Sequence, residues 1–229
     1  MNFTEILKYL GTKIFQIIKW ILFLIVYLTA SSMITLSGAF GNKVSLAQEV
    51  LGMGLIACAV ALAFIDWRYH TQLQTNNPRH FGKNKVNVQK ILLIFGLYIL
   101  MNVIQITWSI LISKNIISFP TNQTDVEQAA MQLPIWSNLF AVFIAPIFEE
   151  LIFRGIFMNY FFNKNNHFNN FMAILFSGVL FGLAHEPKPD LNLLMYSALG
   201  WVLAFTYMHF KDIRYNIFLH FLNNLASVL

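Results

Sequence analysis

Seven apolar runs follow one another along this chain, at 20–36, 46–65, 91–112, 135–162, 171–184, 191–207 and 216–228, and most of the charge falls between them. A helix needs about 20 mainly apolar residues to cross the hydrocarbon core of a bilayer. Within lipid every backbone amide and carbonyl must be paired inside its own segment, so runs of this length are helices. The expected fold class is therefore all-α, a polytopic membrane helix bundle of about seven transmembrane helices, the last three short.

Composition removes the alternatives. The chain is 57% hydrophobic and only 11% charged, more apolar surface than one soluble core of this size can bury. The lipid bilayer is the first expected partner. A net charge of +5 would suggest nucleic acid if it were gathered on one face. Here the basic residues lie between the apolar runs, so no nucleic acid is expected and they read as topology signals. One set of alternate loops holds Lys8, Lys13, Lys19, Arg68, Arg79, Lys83, Lys85, Lys90, Lys164, Lys211 and Arg214. The other holds Lys43, Lys114 and Lys188, with Asp125 and Glu127 in its longest loop. Cytoplasmic loops are enriched in Lys and Arg, so a multi-pass protein of the cell membrane with a cytoplasmic N-terminus is expected.

The segment 3–18 is amphipathic and is expected to lie on the membrane surface. The run 20–36 is longer than a signal-peptide core of about 7–15 residues, so a retained first helix is expected. The long loops are 66–90, basic and suited to anionic headgroups, and 113–134, broken by Pro120 and Pro134. Cys58 is the single cysteine, which excludes an intramolecular disulfide and a cysteine zinc cluster.

Chemistry concentrates in the last hundred residues. In the segment from Ile144 to Gly155, Glu149, Glu150 and Arg154 interrupt an apolar run. A charge at a membrane helix centre costs about 2.5–3.5 kcal/mol on insertion scales, so each needs a partner or a water-filled cavity. Glu150 and Arg154 are four apart on one helical face, acid before base, the favoured order for an ion pair. Glu149, turned about 100° from Glu150, is left as the carboxylate free for chemistry. A purely structural charge cluster is the competing account of these three residues.

The next helix carries Gly178 and Gly182, a small-xxx-small face that admits close helix approach, then Phe181 and His185. His185-Glu186 does not begin an HExxH zinc motif, because Pro187 and Pro189 forbid the continuing helix. The last helix places Asn216, His220 and Asn224 at i, i+4 spacing on one polar stripe, with Asn223 off it. Such a stripe serves either as interhelical hydrogen-bonding glue or as a site.

The ordered set Glu-Glu-x-x-x-Arg, Phe-x-x-x-His and His-x-x-x-Asn, each on its own membrane helix, resembles the CPBP family of intramembrane proteases, named for CAAX protein proteases and bacteriocin-processing proteins and also called the Abi family. The resemblance covers roughly 134–229 and divides the chain into variable N-terminal helices, 1–133, and a catalytic helical core, 134–229, within one integrated membrane domain. It implies that Glu149 and His185 activate a water that attacks a peptide carbonyl, while His220 and Asn224 stabilise the oxyanion. Glu150, Arg154, Phe181 and Asn216 would then be support. Carboxylate and imidazole can share general-base duty, and Asn and His donors suit an oxyanion. Glu149, His185 and His220 could instead hold zinc with a water in the fourth position; the metal-free glutamate mechanism is favoured, and with it no cofactor.

The expected substrate is a peptide or membrane-anchored protein. In a bacterial host, which the Ile, Asn, Phe and Lys usage favours, the roles are bacteriocin or signal-peptide processing, or self-immunity; in a eukaryotic host, trimming of prenylated proteins. A non-catalytic immunity or scaffold protein and a small proton-coupled transporter are the competing classes. The absence of an evident inverted repeat counts against the transporter.

Overall fold

The computed structural model describes residues 2–40 and 43–228; the outer ends of the two-part division, Met1 and Leu229, lie outside the described residues. Its helices are α1 (Phe3–Ala39), α2 (Val44–Thr75), α3 (Val88–Ser113), α4 (Thr121–Gln132), the composite α5 (134–161), α6 (His167–His185), α7 (Leu191–Phe210) and α8 (Ile213–Val228). No strand occurs among the described residues. Helices α1, α2, α3, α6 and α7 are long and apolar enough to cross a membrane. The irregular α5 and the 16-residue α8 complete a polytopic bundle.

Local expectations need correcting in several places. Residues 3–18 do not form a separate surface helix, because α1 runs unbroken for 37 residues, roughly 55 Å at 1.5 Å per residue. A capping box starts it, with Asn2 Oδ1 accepting from the Glu5 amide at 2.9 Å and Glu5 accepting from the Asn2 amide at 3.0 Å, and no proline interrupts it. The loop expected at 66–90 begins only after Thr75, and the loop expected at 113–134 contains α4. Arg79, one of the basic residues read as topology signals, is buried. Its guanidinium donates to the Phe162 carbonyl, to Lys164 O at 2.8 Å and to Asn170 Oδ1 at 2.8 Å, clamping the α5–α6 connection.

The run expected as one regular helix at 135–162 is broken by two π-helical stretches, Phe140–Ile144 and Glu150–Ile156. Proline explains the first. Ala145 N–H bonds the Phe140 carbonyl, and Pro146 has no N–H to offer the Ala141 carbonyl one position on. The second is sustained by its neighbours. Trp20 Nε1 donates to Ile152 O at 3.1 Å, Ser177 Oγ to Phe153 O at 2.9 Å, Asn159 Nδ2 to Gly155 O at 2.7 Å and Gln72 Nε2 to Ile156 O at 3.3 Å. Irregular backbone at membrane depth persists only where protein groups satisfy it, and π-bulges are frequent at functional sites.

Glycine sets the approach of α6 to α7. A Cβ on Gly182 would lie 2.9 Å from the Ser197 amide nitrogen and 3.0 Å from the Leu193 carbonyl, and one on Gly200 would lie 2.8 Å from the Gly178 carbonyl. These are backbone atoms, which cannot swing aside. Gly182→Ala is accordingly expected to cost about 1–3 kcal/mol by overpacking, lowering the thermal unfolding midpoint in detergent. Gly96→Ala, with nothing within 4 Å of the added methyl, should leave the midpoint unchanged or raise it. Equal midpoints for Gly182→Ala and wild type would refute the close packing.

Candidate active site

Four helices deliver the polar residues. Helix α5 brings Glu149, Glu150 and Arg154, α6 brings His185, α8 brings Asn216 and His220, and α1 brings Tyr27. The composite α5 passes through the bundle with Glu150 and Arg154 fully buried and Glu149 almost so.

Glu150 is held from three directions. Arg154 Nη1 and His220 Nδ1 each lie 2.9 Å from Oε1, and the Asn216 amide donates to Oε2. Arg154 also donates from Nη2 to the Gly200 carbonyl at 2.9 Å, and its guanidinium lies 4.5 Å from the centre of the Phe181 ring. Gly200 itself packs directly on Gly178. The Glu150 carboxylate is an anchor, with both oxygens already accepting from donors.

Glu149 is placed differently. Oε1 accepts from the Tyr27 hydroxyl at 2.9 Å, whereas Oε2 is buried without a hydrogen-bond partner among the described residues. It lies 3.8 Å from Nε2 of His185 and 3.8 Å from Nε2 of His220. The far nitrogens fix the protons. His185 Nδ1 is 2.8 Å from the Phe181 carbonyl, which can only accept, and His220 Nδ1 faces the carboxylate of Glu150. Both Nδ1 atoms therefore carry hydrogen, and in the neutral imidazoles both Nε2 atoms present lone pairs. With both rings neutral, Glu149 Oε2 and the two Nε2 atoms offer lone pairs to a proton donor or a cation, and a ring that gains a proton offers a donor instead.

On regular membrane helices the two histidines would lie at different depths, one near the end of α6 and the other in the first half of α8. Two features close the gap. The His185 ring folds back along its own helix to the carbonyl one turn earlier, the direction helical side chains take. Phe181 then stands between the two, its ring centre 4.2 Å from that of His185 and 5.7 Å from that of His220. The Tyr196 ring stacks on His185 at 5.1 Å.

The zinc alternative can be tested on these positions. Carboxylate and two imidazoles are a donor set that zinc takes, but bonds of about 2.0–2.2 Å in a tetrahedron imply donor separations of about 3.4 Å, shorter than the spacing found. Among the described residues no group of three or more His, Cys, Asp or Glu side chains is gathered as a metal site. The 3.8 Å found falls between that separation and the about 4.6 Å that two tetrahedral hydrogen bonds to one water would give.

Glu149, His185 and His220 line the wall of a cavity of about 540 Å³ that extends to α4 and to Gln105 and Trp108 of α3. Asn223 and Asn224 line it too. Asn224 Nδ2 donates to the Ala141 carbonyl at 2.9 Å, the acceptor that Pro146 leaves without a backbone donor, so this side chain also stabilises the break in α5. Asn223, which falls off the helical stripe, is buried and accepts from Gln105 Nε2 at 2.9 Å. Tyr27, Tyr196 and Gln105 carry no motif. A tyrosine inside an apolar run, away from the interfacial belts where tyrosine concentrates, is a signal for Tyr27, but Tyr98 gives the same signal without reaching the site.

Fold and site thus define an all-helical membrane protein with a buried glutamate pair and two histidines at a cavity wall. Comparison with known proteins narrows this. The family model described as "Type II CAAX prenyl endopeptidase Rce1-like" matches residues 131–226. The Bacillus subtilis (strain 168) protein named "Putative membrane peptidase YdiL" is 37% identical over 105 residues, 46% of this chain and 39% of that protein. The match therefore spans well under half of that relative's length. No solved structure matches the chain. The segment 131–226 is thus similar to CAAX-type membrane proteases, the kind of protein that the ordered motifs resemble.

Proposed function

We propose that this protein is an intramembrane endopeptidase that hydrolyses a peptide or membrane-anchored protein with a water activated by Glu149. The observation that carries the proposal is the unpartnered Oε2 of Glu149, 3.8 Å from Nε2 of each histidine at the wall of the cavity. Polar atoms separated by more than 3.5 Å are commonly bridged by water. A water there donates to Glu149 Oε2 and to His185 Nε2, leaving an oxygen lone pair for a carbonyl in the cavity.

Glu149 takes the proton as the water oxygen bonds to the carbonyl carbon, then returns it to the amide nitrogen as the C–N bond breaks. His220, held at Nδ1 by Glu150, and Asn224, with its second amide hydrogen, stabilise the developing oxyanion. No metal takes part in these steps. The favoured setting is a bacterial cell membrane, with bacteriocin or signal-peptide processing, or self-immunity, as the role.

The test is cleavage of candidate peptides by purified protein in detergent, wild type against Glu149→Ala, with elemental analysis of the active fraction. Cleavage lost in the variant and no stoichiometric metal in wild type are the expected results. Zinc at one per chain, removed in parallel with activity, would overturn the metal-free mechanism.

The Lys/Arg asymmetry orients the site. The loop at Lys83 is proposed to be cytoplasmic and α4 external, which opens the cavity toward the outside. In a Cys58→Ser background, Thr124→Cys should react with an impermeant thiol reagent added outside, and Lys83→Cys only after access to the cytoplasmic side. Labelling of position 124 from the cytoplasmic side alone would reverse the orientation.

A further inference from the structure

Tyr27 lies on α1, outside the matched segment 131–226 and outside every motif of the site. Its ring is buried in an aromatic stack, 4.8 Å from Phe148 and 6.5 Å from Phe140 between ring centres. Phenylalanine would fill that stack equally well, and a buried hydroxyl costs free energy unless it is paired. The pairing it makes is with Glu149 Oε1 at 2.9 Å.

A carboxylate tethered through one oxygen loses rotation about its terminal bond. Its plane is then fixed, and so is the oxygen offered to a water. Here the tethered oxygen is Oε1, and the one left over is Oε2, which faces the two imidazoles. Phe148 precedes Glu149 in α5, so the phenol ring packs on the same turn that carries the carboxylate. Among the described residues no other hydrogen bond holds the Glu149 side chain, in contrast to the three donors on Glu150.

We infer that Tyr27 is a positioning residue for the proposed hydrolysis: its phenol holds Glu149 so that Oε2 meets the attacking water. The inference rests on the hydrolytic function proposed above. It makes the first helix part of the active site, so that residues 134–229 do not contain the whole of it.

Tyr27→Phe in the full chain keeps the aromatic stack and removes only the hydroxyl. Loss of a hydrogen bond to a charged group is expected to lower kcat about tenfold, with KM and the unfolding midpoint unchanged. A second measurement needs no substrate. A hydrophobic carbodiimide should label Glu149 several-fold faster in Tyr27→Phe than in wild type, read by mass spectrometry with Glu149→Gln as the blank. Wild-type kcat in Tyr27→Phe overturns the inference, as does an effect confined to KM, and so does an unchanged labelling rate. If wild type cleaves no peptide, the hydrolytic proposal fails, and the labelling arm still decides whether the phenol holds the carboxylate.

Discussion

Glu149→Gln is expected to lower peptide cleavage by about 10²–10⁴-fold, the range general acid–base catalysis contributes, while the variant purifies like wild type. The amide keeps the shape of the side chain and can still meet the Tyr27 hydroxyl, but it cannot take a proton from water. His185→Ala and His220→Ala should fall almost as far, since each removes one of the two imidazoles that face Glu149 Oε2. Asn224→Ala is expected to be milder in turnover, because His220 still stabilises the oxyanion, and loss of one donor typically costs about 10²–10³-fold. It should also lower the unfolding midpoint, because the Ala141 carbonyl loses its donor. Initial rates on one cleaved peptide, set beside thermal unfolding of the same preparations, separate the two effects. Full activity in Glu149→Gln would end the assignment of Glu149 as the base.

How much of this was legible in the sequence differs by the kind of information involved. Helix identity was legible because lipid allows few alternatives, and the pairing of Glu150 with Arg154 was legible because it is local, four residues apart on one helix. The interruptions of α5 were not. Pro146 advertises a break, but the side chains that make π-helical backbone tolerable come from Trp20, Gln72 and Ser177, far away in sequence. For the same reason spacing could not assign separate duties to His185 and His220, which lie equally far from Glu149 Oε2. Arg79 shows the limit of topology rules. They count an arginine in a loop as exposed charge, whereas here the guanidinium is buried on carbonyls at the end of α5 and an asparagine of α6. Tyr27 is a fourth case, since nothing in a run of apolar residues says which tyrosine faces a carboxylate 122 positions further on.

Arg154→Ala and Glu150→Ala are expected to reduce the amount of folded protein far more than Glu149→Ala does. Removing one partner of a buried pair leaves the other charge uncompensated, at a cost of about 3–5 kcal/mol. Both residues are fully buried, so water cannot take the missing partner's place. The two losses should nevertheless differ in kind. Without Arg154, the Glu150 carboxylate keeps the Asn216 amide and His220 Nδ1, but the Gly200 carbonyl loses its donor and α7 loses a tie to α5. Without Glu150, the guanidinium keeps only Gly200 O and the Phe181 ring, while Asn216 and His220 are both released, so catalysis fails together with folding. Glu149→Ala strands only the Tyr27 hydroxyl at the edge of a cavity that water can enter. The measurement is the yield of monodisperse protein after detergent extraction, with the unfolding midpoint of whatever is recovered. Equal yields for Glu149→Ala, Glu150→Ala and Arg154→Ala would show that the two glutamates are not divided into an anchor and a base.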